Sequence, residues 1–339
     1  MTIRRVAGAA LSVALVVAVV TAAPAIGATV FTVSGTRVFH PPPYPEQLLP
    51  GLFVGDTVTR IDYPAATFGM DASIAVAVGA IMDAVGNTLG DLVAAGFSQG
   101  AIAVSYAKLS VMALPADLRP APDRLSFVTI GDPTAAQGIL RVLPFKVPLL
   151  DLTPFAPPET PYDTVVVTGE YDGWADLPDR PWNLVSLANA LLGIAYVHGR
   201  YEVVPGGLDL STVPLANITA TTNSLGGTTT VYLLPTERLP LVQPLRDIGI
   251  PEPIVAALEQ PLKVMVDAGY ARRDLSPATA RALSATGHRR PQAGQRSAAK
   301  APATSLPGAR KRPELSSRRR ISSISAVVPN TGAERPRPP

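Results

Sequence analysis

Ser98 stands inside Gly96-Phe97-Ser98-Gln99-Gly100, within the longer stretch Asp91 to Leu109 (DLVAAGFSQGAIAVSYAKL). The residues before it are apolar and strand-like; those after it are small and helix-forming. A serine held at a sharp strand-to-helix turn presents its hydroxyl to solvent in a strained conformation. Glycines two positions to either side keep bulk away from the neighbouring strand and helix. Such a hydroxyl becomes a nucleophile once a base takes its proton and a set of N–H groups holds the oxyanion that follows. The pattern is short, and a Gly-Ser turn between two core elements would look the same. The remainder of the chain must therefore supply a base, an acid and oxyanion donors.

The sequence contains 3 histidines. His288 borders a basic tail, and His40 lies in a proline-rich loop ahead of the serine. His198, in Ile194-Ala-Tyr-Val-His-Gly-Arg-Tyr201, follows both the serine and the candidate acids. Those acids cluster in Gly169-Glu-Tyr-Asp-Gly-Trp-Ala-Asp-Leu-Pro178, at the exit of a predicted late strand, where open α/β sheets bind their ligands. Asp172, directly at the strand end, is the preferred acid. Asp176 is the alternative, although it could cap the following turn, and Glu170 is a third option. A lone loop carboxylate is commonly only solvated. The order Ser98, Asp172, His198 is that of α/β-hydrolases and differs from the chymotrypsin and subtilisin orders. His198 would accept the Ser98 proton while Asp172 fixes the imidazole tautomer. The backbone amide of Gln99 would be one oxyanion donor. That of Thr36, after Gly35, would be the second, unless Gly35 only makes a turn.

These side chains need a sheet beneath them. Ala28–Ser34, Thr57–Tyr63, the elbow strand, Arg124–Ile130, Thr164–Thr168 and Thr229–Leu234 read as strands, with a helix over Ala72–Ala84 and another after Ser98. Alternating strands and helices with Gly or Asp at strand exits predict an α/β fold of the α/β-hydrolase type. Its central sheet is mostly parallel and flanked by helices, with a helical, cap-like C-terminal region. That region, Pro235–Gly269, carries apolar residues at amphipathic spacing with Pro240, Pro244, Pro251, Pro253 and Pro261 among them. Short helices broken at those prolines would suit a cap or a lipid-facing lid, or would pack on the sheet edge. Trp174 and Trp182 flank the acid loop, to line an acyl pocket or to close the core.

Three segments follow from composition: a leader over 1–28, the catalytic domain over 29–282 and a tail over 283–339. Arg4-Arg5, the apolar run Val6–Val20 and the small residues Ala23-Pro24-Ala25 describe a secretory signal, or a signal anchor if uncut. Outside the leader no other stretch reads as membrane-spanning. The tail is rich in Arg, Ser, Ala and Pro and predicts disorder. From Arg289 onward it holds 12 Lys/Arg against 2 Asp/Glu, which leaves 17 against 24 of the totals 29 and 26 for everything before it. The domain is thus acidic and the basic pI belongs to the tail, so no nucleic-acid partner is expected. Behind an export signal the tail suits anionic envelope or lipid surfaces, or serves only solubility. There is no cysteine, which excludes disulfides and thiolate metal sites. No metal or cofactor is called for.

Gly35-Thr36 after the first strand, Tyr63-Pro64-Ala65, the elbow, Tyr171-Asp172-Gly173, Ala175-Asp176-Leu177-Pro178, Ala188-Asn189-Ala190, Tyr196-Val197-His198-Gly199 and Val266-Asp267-Ala268-Gly269-Tyr270 together resemble the PE-PPE domain family. These are actinobacterial envelope serine α/β-hydrolases related to cutinases. The resemblance runs from about Thr29 to Arg273, with a hydrophobic leader where a PE or PPE helical module often stands. It implies an acyl-enzyme mechanism on carboxylic esters; the leader sets the expected location outside the cytoplasm, membrane-anchored or secreted. Some leader-bearing relatives are acyltransferases that place fatty acyl chains on trehalose glycolipids. The expected partners are an acyl ester or glycolipid substrate and a membrane or envelope surface. A non-catalytic envelope-binding protein on the same fold is the remaining alternative.

Overall fold

The computed structural model describes residues 27–38, 41–203 and 207–274. Nearly all of the leader, His40, His288 and the basic tail lie outside the described residues. Among the described residues seven strands form one sheet in the order β2-β1-β3-β4-β5-β7-β6. The strands are β1 (Thr29–Val33), β2 (Thr57–Ile61), β3 (Leu92–Phe97), β4 (Leu125–Ile130), β5 (Thr164–Gly169), β6 (Ile218–Thr222) and β7 (Thr228–Leu234). All neighbours pair in parallel except β6, which runs antiparallel to β7 at the edge. This is the mostly parallel α/β-hydrolase sheet that the sequence predicts. β6 was not among the expected strands. Its sequence, ITATT, is largely exposed and lacks the apolar alternation that would have marked it.

The site-bearing strand β3 shows why the sheet needs two covering layers. Leu92 and Ala94 face one hydrophobic cluster, while Val93, Ala95 and Phe97 face another, and all are buried. The first face is covered by α2 (Met70–Asn87) and α3 (Gln99–Ala113), through Ile74, Ala77, Ile81, Ile102 and Val104. The second lies under α1 (Pro45–Leu48) and the 3₁₀ helix His198–Val203, which contribute Leu48 and Tyr201. α2 is two residues longer at its start and three at its end than expected, and by length and composition it could cross a membrane. Here it is a layer helix, because Ile74, Ala77 and Ile81 repeat at helical spacing against the sheet. α4 (Ile139–Val142) is a single turn beyond β4.

The C-terminal segment forms the 3₁₀ turn Pro240–Val242, α6 (Gln243–Asp247) and α7 (Glu252–Asp267), packed on α5 (Leu184–Tyr196). Pro261 does not break α7 as expected. A mid-helix proline removes one backbone hydrogen bond and costs about 3 kcal/mol. Val255 and Val266 hold the helix on both sides of it, three turns apart and fully buried with Leu239, Val242, Tyr171 and Tyr270. Of the two readings of this segment, the structure takes packing on the α/β body: none of its residues lines the pocket described below.

Candidate active site

Ser98 has φ 54° and ψ −116°, a conformation that L-residues rarely adopt and that stands the side chain away from both β3 and α3. The flanking glycines are required by contact. A Cβ on Gly96 would lie 2.2 Å from the Gly100 carbonyl oxygen, and one on Gly100 would lie 2.3 Å from that of Val33. The elbow is therefore wedged between the first turn of α3 and the end of β1.

The Ser98 Oγ lies 2.8 Å from His198 Nε2, and His198 Nδ1 lies 2.8 Å from Asp172 Oδ2. An ionised carboxylate only accepts, so Nδ1 carries the proton and Nε2 is free to take that of Ser98. Asp172 is completely buried; its other oxygen accepts the Trp174 amide at 2.8 Å. The imidazole stacks on Phe97, the elbow residue before Ser98, with centroids 5.6 Å apart. The Tyr201 hydroxyl also donates to Asp172 Oδ2, at 2.8 Å.

The other candidate acids are placed elsewhere. Asp176 accepts the Tyr171 amide at 2.7 Å and both terminal nitrogens of Arg272 at 2.8 and 2.9 Å. Burial pushes its carboxyl up to about 6, against the pull of Arg272. Glu170 is buried too, 3.7 Å from Arg272 and bonded through its backbone carbonyl to the Thr236 hydroxyl. Neither is among the partners of His198.

Gly35 and Thr36 stand beside Ser98: a Cβ on Gly35 would lie 3.2 Å from that of the serine, and Thr36 lines the pocket with Ser98, Gln99 and His198. Among the described residues neither the Thr36 nor the Gln99 amide donates to a protein acceptor. Two supports were not foreseen. Tyr63 donates its hydroxyl to the Ser34 carbonyl at 2.8 Å, and Arg37 donates its amide to Ala65 at 2.8 Å, so Tyr63-Pro64-Ala65 braces the Gly35–Thr36 loop. The Gln99 side chain is tied to the Ala66 carbonyl at 2.8 Å. Burial holds the Tyr63 hydroxyl protonated, well above its ordinary range.

A pocket of about 360 Å³ opens from Ser98, at the lower end of the range for small-molecule sites. Met70, Phe97, Ile102 and Leu152 form its buried lining, with Val38, Leu150 and Trp174 nearer the surface. Trp182, the other tryptophan, neither lines the pocket nor closes the core; it is 75% exposed.

A sequence model of the PE-PPE domain matches residues 43–271, most of the chain described above. The chain belongs to the PE-PPE domain family. Its curated relatives come from Mycobacterium tuberculosis. An uncharacterized PPE family protein, PPE63, is 38% identical over 65% of this chain and 47% of its own length. Diacyltrehalose acyltransferase Chp2 is 38% identical over 53% and 51%, and esterase PE16 is 40% identical over 62% and 39%. The chain thus spans about half the length of the curated relatives it matches. Among solved structures, a cutinase-like protein from Cryptococcus sp. matches 53% of this chain and 95% of its own, at 17% identity and a TM-score of 0.27. The fold of this PE-PPE domain is given by its strand order and elbow, not by that overlap.

Proposed function

We propose that this PE-PPE domain is a serine-nucleophile enzyme that cleaves fatty acyl esters through an acyl-enzyme on Ser98. The observation that carries the reading is the continuous Ser98–His198–Asp172 hydrogen-bond chain at the head of an apolar pocket. As Ser98 Oγ attacks the ester carbonyl, its proton passes to His198 Nε2. The resulting imidazolium is held by Asp172, and the oxyanion is met by the Gln99 and Thr36 amides. Collapse expels the alcohol, which takes the proton from His198. A second hydroxyl then enters by the same steps in reverse and removes the acyl group. Each methylene buried in the pocket contributes about 0.8 kcal/mol, so kcat/KM should rise roughly fourfold per added carbon until the pocket is full.

Hydrolysis of p-nitrophenyl acyl esters by the full chain, together with fluorophosphonate labelling, tests the proposal. Ser98→Ala should abolish both. Turnover that survives in Ser98→Ala overturns the reading, and a wild-type Ser98 that takes no label favours a binding protein that keeps the fold.

Acyl transfer is the second reading, and the relatives named as acyltransferases, Chp2 and the SL1278 acyltransferase Chp1, favour it. Water and a sugar hydroxyl resolve the same acyl-enzyme, and access of the acceptor decides between them. With trehalose or an acylated trehalose present, transfer should outpace release of free fatty acid; free acid alone would leave hydrolysis. The leader and the basic tail support an exported location at the membrane or cell envelope. Cell fractionation checks it, and recovery in the cytosol would reject it.

A further inference from the structure

We propose that Tyr201 is a positioning residue of this site: it shares Asp172 Oδ2 with His198 and fixes how the acid presents itself to the imidazole. This rests on the acyl-enzyme reading above. Tyr201 follows His198 by three residues on the 3₁₀ helix His198–Val203, where side chains at i and i+3 eclipse. Its ring meets that of His198 edge-on at 5.8 Å and that of Phe97 at 5.7 Å. The phenol is 4% exposed.

The direction of its proton is determined by its neighbours. The Gly169 amide, at the end of β5, donates to the Tyr201 hydroxyl oxygen at 2.6 Å. With that lone pair taken, the single phenolic proton points to the acceptor at hand, Asp172 Oδ2 at 2.8 Å. Burial first, and then the charge of Asp172, raise the hydroxyl well above its ordinary value, so it remains a donor throughout turnover. Gly169 makes the approach possible: a Cβ there would lie 2.6 Å from Val197 Cγ1 and 3.1 Å from the Tyr201 hydroxyl.

Asp172 thereby receives three donors, from Trp174, Tyr201 and His198, without a cation among them. A buried carboxylate is costly unless its lone pairs are met. Tyr201 meets one of them on the oxygen that His198 uses, and so ties that oxygen down beside the imidazole.

The experiment is Tyr201→Phe in the full chain, read by steady-state kinetics, melting temperature and proton NMR of the His198 Nδ1–H. Loss of the positioning bond should lower kcat about tenfold with KM within about twofold, because the acyl pocket is untouched. With one competing donor gone, Oδ2 becomes a better acceptor and the Nδ1 proton should move downfield. Replacing Tyr201 by 3-fluorotyrosine keeps the shape and strengthens the donor, so the resonance should move upfield. This second variant serves if Tyr201→Phe folds poorly. A resonance that stays in place in both variants overturns the proposal, and so does an unchanged kcat in Tyr201→Phe. The NMR readout needs no turnover, so absent activity in the wild type would count against the acyl-enzyme reading and not against Tyr201.

Discussion

Asp172 and Asp176 leave the same strand four residues apart, are both buried, and acquire opposite electrostatic company. Asp172 is met by an imidazole, a phenol and a backbone amide. Asp176 is met by an amide and a guanidinium fork, and that guanidinium also lies 3.9 Å over the Tyr270 ring. The difference separates two uses of a buried carboxylate. Neutral donors satisfy its lone pairs without a cation, which under the acyl-enzyme proposal leaves its charge available to the His198 imidazolium. A fixed cation spends that charge in the resting state, which suits an anchor between the acid loop and the segment after α7. The two are joined directly, since the Asp176 amide donates to the Asp172 carbonyl at 2.6 Å.

The largest test of this contrast exchanges the amides. Asp172→Asn should lower kcat by about 10³–10⁴, because the imidazole loses its tautomer control, with little change in melting temperature. Asp176→Asn should keep activity within about tenfold and act mainly on stability. Labelling of Ser98 that survives in Asp172→Asn but not in Asp176→Asn would reverse the two roles.

Next in size is Arg272→Met, which leaves a buried carboxylate without its cation. Breaking such a pair costs about 3–5 kcal/mol, and the melting temperature should fall by about 10 °C. A fall of only a degree or two would place the anchor elsewhere.

The pH dependence gives a smaller and more specific effect. With Asp176 raised to about 6 from an ordinary 3.8, the native state holds a proton between about pH 4 and 6 that the unfolded chain has released. This contribution to stability therefore falls as the pH rises through that window. Melting curves at pH 4, 5, 6 and 7 should show a slope that Asp176→Asn reduces. An identical slope in the two proteins would contradict the assignment.

The smallest effect is expected at Lys263. It pairs with Asp267 at 3.3 Å and donates to the Tyr171 hydroxyl at 2.6 Å, but its side chain is 39% exposed. Lys263→Met should change stability by less than about 1 kcal/mol. A cost close to that of Arg272→Met would mean that the whole charged network, and not its buried arm, carries the anchor.

How much of this was legible follows from range along the chain. Local rules marked the elbow, because the steric demand on Gly96 and Gly100 is written in five consecutive residues. They also marked the core strands, whose β-branched runs need no tertiary information. His198 emerged by elimination among three histidines, and the order of serine, acid and base indicated the fold. β6 was missed because its sequence, ITATT, lacks the apolar alternation that marks the other exposed edge strand, β2.

The choice among Glu170, Asp172 and Asp176 was different in kind. All three sit at one strand exit; position at the strand end favours Asp172 but leaves the others open, and the partners that packing delivers separate them: His198 from 26 residues away, Arg272 from 96. The same holds for Tyr201, whose role depends on the ends of β5 and the 3₁₀ helix meeting. It holds for Trp174 entering the pocket while Trp182 stays outside, and for Pro261 staying within a helix that Val255 and Val266 pin down. The sequence by itself thus determined the serine elbow, its strained turn and the sheet beneath it, because sterics and period act between neighbours. The tertiary structure decided between the carboxylates that the sequence had only ranked, one facing the imidazole and another the arginine, because burial and charge act between residues that are distant along the chain.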